Sequence, residues 1–68
     1  MSIDYAVEKT LMDLELNYSY KQLIEVFNKL IYLTQNGDDK KLEEELGRFS
    51  KESNVSEIDI CRVIVYLV

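Results

Sequence analysis

The residue types that usually carry catalysis are scarce in this sequence. The chain has no histidine, so acid–base chemistry near neutral pH would need a carboxylate, a lysine or a cysteine with a displaced pKa. The one cysteine, Cys61, lies in an apolar segment, where thiols usually serve as inert packing. No glycine-rich phosphate loop, Gly-x-Ser-x-Gly elbow or Ser-x-x-Lys pair is present. We therefore predict a protein that is not an enzyme and that uses no cofactor or small-molecule substrate.

Carboxylates are the only candidate metal ligands in the sequence. A calcium-binding EF-hand loop needs oxygen ligands at alternating positions and glycine at the sixth position. In the segment 36–39 the glycine is second, and Lys40 and Lys41 follow it. Helix capping and a solvated surface explain these acids better, so we predict no metal site. The acidic run downstream is assigned to an exposed acidic face, formed by Glu43, Glu44 and Glu45.

Residues 49–63 contain a possible helix-turn-helix. In such a unit an apolar residue and a small residue on the first helix precede a turn made by Gly or Asn. β-branched residues of the second helix then pack against the first helix. The matching positions are Phe49, Ser50, Asn54, Val55, Ile60 and Val63. The face that would meet DNA carries Glu57 and Asp59 against one base, Arg62, whereas DNA binding needs cations near phosphates. A DNA-binding regulator is therefore an alternative, and two helices joined by a tight corner is the structural interpretation that we prefer.

The overall charge points away from nucleic acid as a partner. Thirteen acidic residues against eight basic ones give a net charge of −5, and no segment is strongly basic. Such a balance disfavours nucleic acids and anionic membranes and weakly favours a basic partner. A second alternative function is thus an acidic inhibitor of a nucleic-acid-binding protein.

Three features predict a cytoplasmic protein that does not enter a membrane. The longest unbroken apolar stretch, residues 63–68, is far below the ~20 residues that span a bilayer. Residues 1–4 lack the basic-then-apolar order of a signal peptide. A single cysteine allows no disulfide framework within the chain, as is usual in a reducing compartment.

Apolar spacing predicts an all-α fold, a small three- to four-helix domain over residues 1–68. The expected helices cover about 3–17, 20–36, 39–52 and 57–67. The signals for their ends are Ser2, the Ser19/Gln22 capping box, Gly37, Asp38, Asp39, Asn54 and Ser56. One continuous bent helix in place of the first two is an alternative.

The last segment, residues 58–68, is ambiguous between helix and strand. Its many β-branched residues favour a strand, whereas the cap at Ser56 and the lack of a partner strand favour the helix that we predict. It is apolar nearly all round, and a chain of 68 residues buries only about 60% of its unfolded surface. We therefore expect a second chain to cover it, most simply in a homodimer.

The predicted interface combines this last segment with part of the second helix. Tyrosines are enriched at interfaces, and among the five here Tyr32 lies off the apolar stripe of its helix. The candidate residues are Tyr32, Leu33, Ile58, Cys61, Val65, Tyr66 and Val68. The predicted function is a small non-enzymatic protein–protein interaction module, either a regulator, an inhibitor, an antitoxin-like factor or a chaperone-like factor. Its partner is another protein or a second copy.

Two segments resemble known families of small helical proteins. Residues 23–68, through SNVSEIDICR ahead of an apolar end, resemble the small enterobacterial biofilm and acid-resistance regulators. QLIEVFNKL followed by NGDDK resembles the hairpin co-chaperones of type III secretion needles. Both resemblances imply action through protein contacts, and neither assigns the chain to a family.

Overall fold

Four helices follow one another in the computed structural model, which describes residues 4–68. They are α1 (Tyr5–Glu15), α2 (Tyr20–Gln35), α3 (Asp39–Ser53) and α4 (Glu57–Leu67). The all-α prediction is confirmed, and the ambiguous last segment is a helix. The predicted cap Ser2 lies outside the described residues. Asp4 caps α1 instead, since its Oδ1 accepts a hydrogen bond from the Ala6 amide at 2.8 Å.

The chain turns between α1 and α2, so the two are separate helices and not one bent helix. The amides of Asn17 and Tyr18 both donate to the Leu14 carbonyl, which closes α1 earlier than residue 17. Ser19 is extended, and its hydroxyl accepts from the Gln22 amide at 3.2 Å while the Gln22 side chain accepts from the Ser19 amide at 2.8 Å. The predicted capping box is therefore confirmed.

A Schellman motif ends α2 and leads directly into α3. Gly37 has a φ of +69°, and its amide donates to the Thr34 carbonyl at 3.3 Å. The Asp38 amide donates to the Leu33 carbonyl at 3.2 Å, which completes the motif. The Asp38 side chain then accepts from the Lys41 amide and caps α3, as the sequence predicts.

Serine hydroxyls hold the corner between α3 and α4. Asn54 has a left-handed backbone with φ of 59° and ends α3, as predicted. The Ser50 hydroxyl donates to the Val55 carbonyl at 2.6 Å, and the Ser53 hydroxyl accepts from the Val55 amide at 3.3 Å. Ser56 caps α4 by accepting from the Asp59 amide at 3.2 Å.

The core forms where α1 packs on α4 and α2 packs on α3, with further contacts between α3 and α4. Phe49 of α3 makes edge-to-face contacts with Tyr18 and Phe27, at centroid distances of 5.4 and 6.0 Å. The buried cluster comprises Val7, Leu14, Leu23, Phe27, Leu30, Leu46, Phe49, Ile60, Val63 and Ile64. The radius of gyration, 11.4 Å, is close to the ~11 Å of a compact chain of this length. None of the helices described for residues 4–68 combines the length and apolarity needed to cross a membrane.

Candidate interaction surface

Helix α4 is apolar on two sides, and the fold covers only one of them. Ile60 and Val63 are fully buried against the rest of the chain. On the other side Ile58 is 69% exposed, Val65 76% and Tyr66 47%. Helix α4 contacts α1, α2 and α3, and these contacts leave the Ile58, Val65 and Tyr66 side chains largely in solvent. The sequence prediction of an incompletely covered last helix therefore corresponds to a defined surface.

This surface is a groove, which we call the α4 groove. Its apolar lining consists of Val7 from α1, Leu46 from α3, and Ile58, Cys61, Val65 and Tyr66 from α4. Its volume is about 720 Å³. Four residues that the sequence analysis proposed for an interface thus lie together, whereas Val68, which is 64% exposed, is not among the lining residues.

Acidic side chains dominate the edge of the α4 groove. Asp4 and Glu57 line it together with one base, Arg62. The Arg62 guanidinium lies 3.3 Å from the Asp59 carboxylate, so its charge is largely compensated within α4. The groove therefore presents an apolar floor with a net negative edge.

Cys61 contributes packing surface to the α4 groove and not a reactive thiol. Burial raises the pKa of the half-buried Cys61 thiol, and the nearby Glu57 carboxylate raises it further. A thiol with a raised pKa stays protonated near neutral pH and is a poor nucleophile.

The two proposed residues of α2 do not join this groove. Leu33 is only 5% exposed, so the structure assigns it to the interior and not to an exposed surface. Leu33 follows Leu30 by three residues and continues the buried stripe of α2. Tyr32 is 65% exposed, and it lies apart from the residues described as lining the α4 groove.

A second apolar groove, of about 440 Å³, was not predicted from the sequence. Its exposed apolar residues are Tyr20 and Ile24 of α2 and Leu67 of α4, and its partly buried residues include Leu11 and Ile31. The width of the apolar stripe on α2, where Ile24 adjoins Leu23, was the available signal. Because Tyr66 lines the first groove and Leu67 the second, the last turn of α4 separates the two.

The three glutamates of the proposed acidic face have different surroundings. Glu43 and Glu44 are exposed on α3. The Glu45 side chain is only 17% exposed, lies 3.3 Å from the Lys29 ammonium of α2 and also pairs with Arg48. Burial alone would raise the pKa of Glu45, but its hydrogen bonds and charge attraction to Lys29 and Arg48 outweigh burial and lower it. Glu45 is therefore a link between α2 and α3, and the exposed acidic face is smaller than predicted.

The corner between α3 and α4 offers little for DNA. A three-residue connection joins the two helices, as a helix-turn-helix requires. The exposed side of α4 carries Glu57 beside the paired Arg62, which is the only basic residue of that helix. Binding to a phosphate backbone depends on such cations.

The described residues contain no group of three or more potential ligands from His, Cys, Asp and Glu that is arranged to hold a metal ion. Comparisons of the chain with protein-family models, with curated proteins and with solved structures gave no significant match. The protein is a small four-helix domain with an exposed apolar face on α4 over the described residues 4–68.

Proposed function

We propose that this protein is a non-enzymatic interaction module that acts by burying the exposed face of α4 on a partner protein or on a second copy. In this role it would regulate, inhibit or chaperone the partner, with antitoxin-like action as one form of inhibition. A reducing, cytoplasmic setting suits its protonated, half-buried thiol.

The observation that carries this proposal is the position of Ile58, Val65 and Tyr66 in one exposed groove. Removing apolar surface from water favours association, and contiguous exposed apolar surface is typical of interaction sites. A groove beside a helix suits recognition of another helix, one of the common modes of binding.

The two alternative functions have weaker support. An acidic inhibitor would depend on the glutamates of α3, but Glu45 is already paired with Lys29 and Arg48. A DNA-binding regulator would depend on Arg62, which is paired with Asp59.

The proposal is tested by light scattering after size-exclusion chromatography, together with affinity capture from a lysate. We expect the wild-type chain to self-associate or to retain a specific protein, and Val65→Asp to abolish either behaviour. Glu43→Lys is a control, because Glu43 is exposed on α3 and is not among the residues that line the groove. A stable monomer that retains nothing would contradict the proposed function.

A further inference from the structure

We infer that the α4 groove binds a basic amphipathic helix of another protein, and not a second copy of this chain. The inference rests on the proposed function and specifies the chemistry of the partner. It combines the spacing of the apolar residues with the charge at the groove edge.

The apolar spacing along α4 fits a helical occupant. Ile58, Cys61, Val65 and Val68 follow one another at intervals of three, four and three residues. This spacing is that of the seam along which two helices pack, and three of the four residues are β-branched. Helix α4 has 11 residues and is therefore ~16 Å long, so an occupant of about three turns would match it.

The charge at the groove edge favours a basic occupant. Asp4 and Glu57 line the groove, and Asp59 compensates the charge of Arg62. Lysine or arginine residues beside the apolar stripe of the occupant would therefore meet carboxylates and few competing cations. Such complementarity selects the partner and raises the association rate.

The same charges disfavour a second copy. In a two-fold symmetric dimer the same patch meets itself, so the edge carboxylates of both copies would lie around one interface. The two chains would also each carry a net charge of −5. A homodimer would add repulsion where a basic helix adds attraction.

Two synthetic helical peptides of about three turns test the inference. Both carry leucines at the seam spacing, and the remaining positions are lysine in one and glutamate in the other. Binding is measured by fluorescence anisotropy, and the contact surface is mapped by amide chemical-shift changes. We expect the lysine peptide to bind at least about tenfold more tightly at low salt, with shifts concentrated around the groove, and this ratio to shrink as salt is added.

Matched charge reversals localise the effect. Glu57→Lys at the groove edge should weaken binding of the lysine peptide by about threefold or more, whereas Glu43→Lys on α3 should change it by less than about twofold. The two variants have the same net charge, so only position distinguishes them. Val65→Asp should abolish binding, and circular dichroism establishes that each variant is folded.

Several outcomes would overturn the inference. Equal affinity for the two peptides would show that charge does not select the occupant. Equal losses of affinity in Glu57→Lys and Glu43→Lys would show that the attraction is not local to the groove. If neither peptide binds and the chain forms a dimer that Val65→Asp dissociates, the occupant of the groove is a second copy and not a basic helix. The proposed function would still hold in that case. Absence of peptide binding, of a dimer and of any partner sensitive to Val65→Asp would contradict both.

Discussion

Gly37 and Gly47 have opposite backbone requirements, so the same substitution should act on them with opposite signs. Gly47 lies inside α3, and a Cβ there would approach only the Glu57 carboxylate, at 3.9 Å. Gly47→Ala should therefore raise the free energy of unfolding by about 0.5–1 kcal/mol through helix propensity. Gly37→Ala should lower it by about 1–2 kcal/mol, since its φ of +69° is left-handed. Urea denaturation measures both, and changes of the same sign would contradict these assignments.

The ion pairs of Glu45 should make stability depend on pH in the acid range. Because the pKa of Glu45 is lowered in the folded protein, its carboxylate stabilises the fold above the unfolded pKa, and this contribution is lost as the pH falls through the folded pKa. Glu45→Gln should cost about 1 kcal/mol near neutral pH, and the difference from wild type should vanish at acid pH.

Glu44→Gln provides the matched control for this prediction. Glu44 is exposed on the same helix, so its substitution should change the free energy of unfolding by less than about 0.5 kcal/mol at either pH. Denaturation curves at several pH values distinguish the two residues. A cost for Glu45→Gln that persists unchanged in acid would mean that packing, and not charge, explains the role of Glu45.

The role of Glu45 could not be predicted from the sequence. The run of three glutamates indicates a polar helix surface, which is what Glu43 and Glu44 form. The partner Lys29 lies on another helix, and the two meet only because α2 and α3 dock side by side. Leu33, which was predicted at the interface, is instead buried on α2 with Leu23, Phe27 and Leu30.

At the scale of the helices, local chemistry made most boundaries predictable. Ser19, Gly37, Asn54 and Ser56 act where the sequence places them, because a cap or a left-handed residue interacts within about five residues of itself. The first helix is the exception, because Asp4 caps it and it begins at Tyr5. It ends at Glu15 and not at residue 17, because the Leu14 carbonyl accepts two amides and closes the turn early.

The cap at Ser56 should be a measurable determinant of α4. Its hydroxyl accepts from the Asp59 amide, and alanine cannot replace that bond. Ser56→Ala should lower the free energy of unfolding by about 1 kcal/mol, and Ser56→Asp should restore most of it because aspartate also caps helices. Thermal and urea denaturation would reveal this order. A Ser56→Ala variant as stable as wild type would indicate that packing of α4 on α1 makes the cap dispensable.

At the scale of the whole molecule, periodicity predicted that α4 is incompletely covered but not what lies beside it. The pairing of α1 with α4 joins the two ends of the chain, and no local signal encodes it. That pairing places Asp4 and Val7 at the α4 groove and so determines its edge charge. The second groove, with Tyr20 and Leu67, likewise exists only through tertiary packing.

Stability and association should separate on the two sides of α4. Val65 is 76% exposed and Val63 is fully buried, although they are two residues apart on one helix. Val65→Asp should change the free energy of unfolding by less than about 0.5 kcal/mol and abolish partner binding or dimer formation. Val63→Ala should cost about 2 kcal/mol through lost packing, while the folded fraction binds as wild type does.

Urea denaturation together with light scattering and peptide binding on the same samples measures both effects. A Val65→Asp variant that unfolds as readily as Val63→Ala would mean that the exposed side of α4 supports the fold of the single chain. The apolar residues of the α4 groove would then contribute to folding of the single chain, and their apolar character would not indicate a binding partner. A folded Val65→Asp variant that no longer binds would instead show that the buried side of α4 serves folding and the exposed side serves binding.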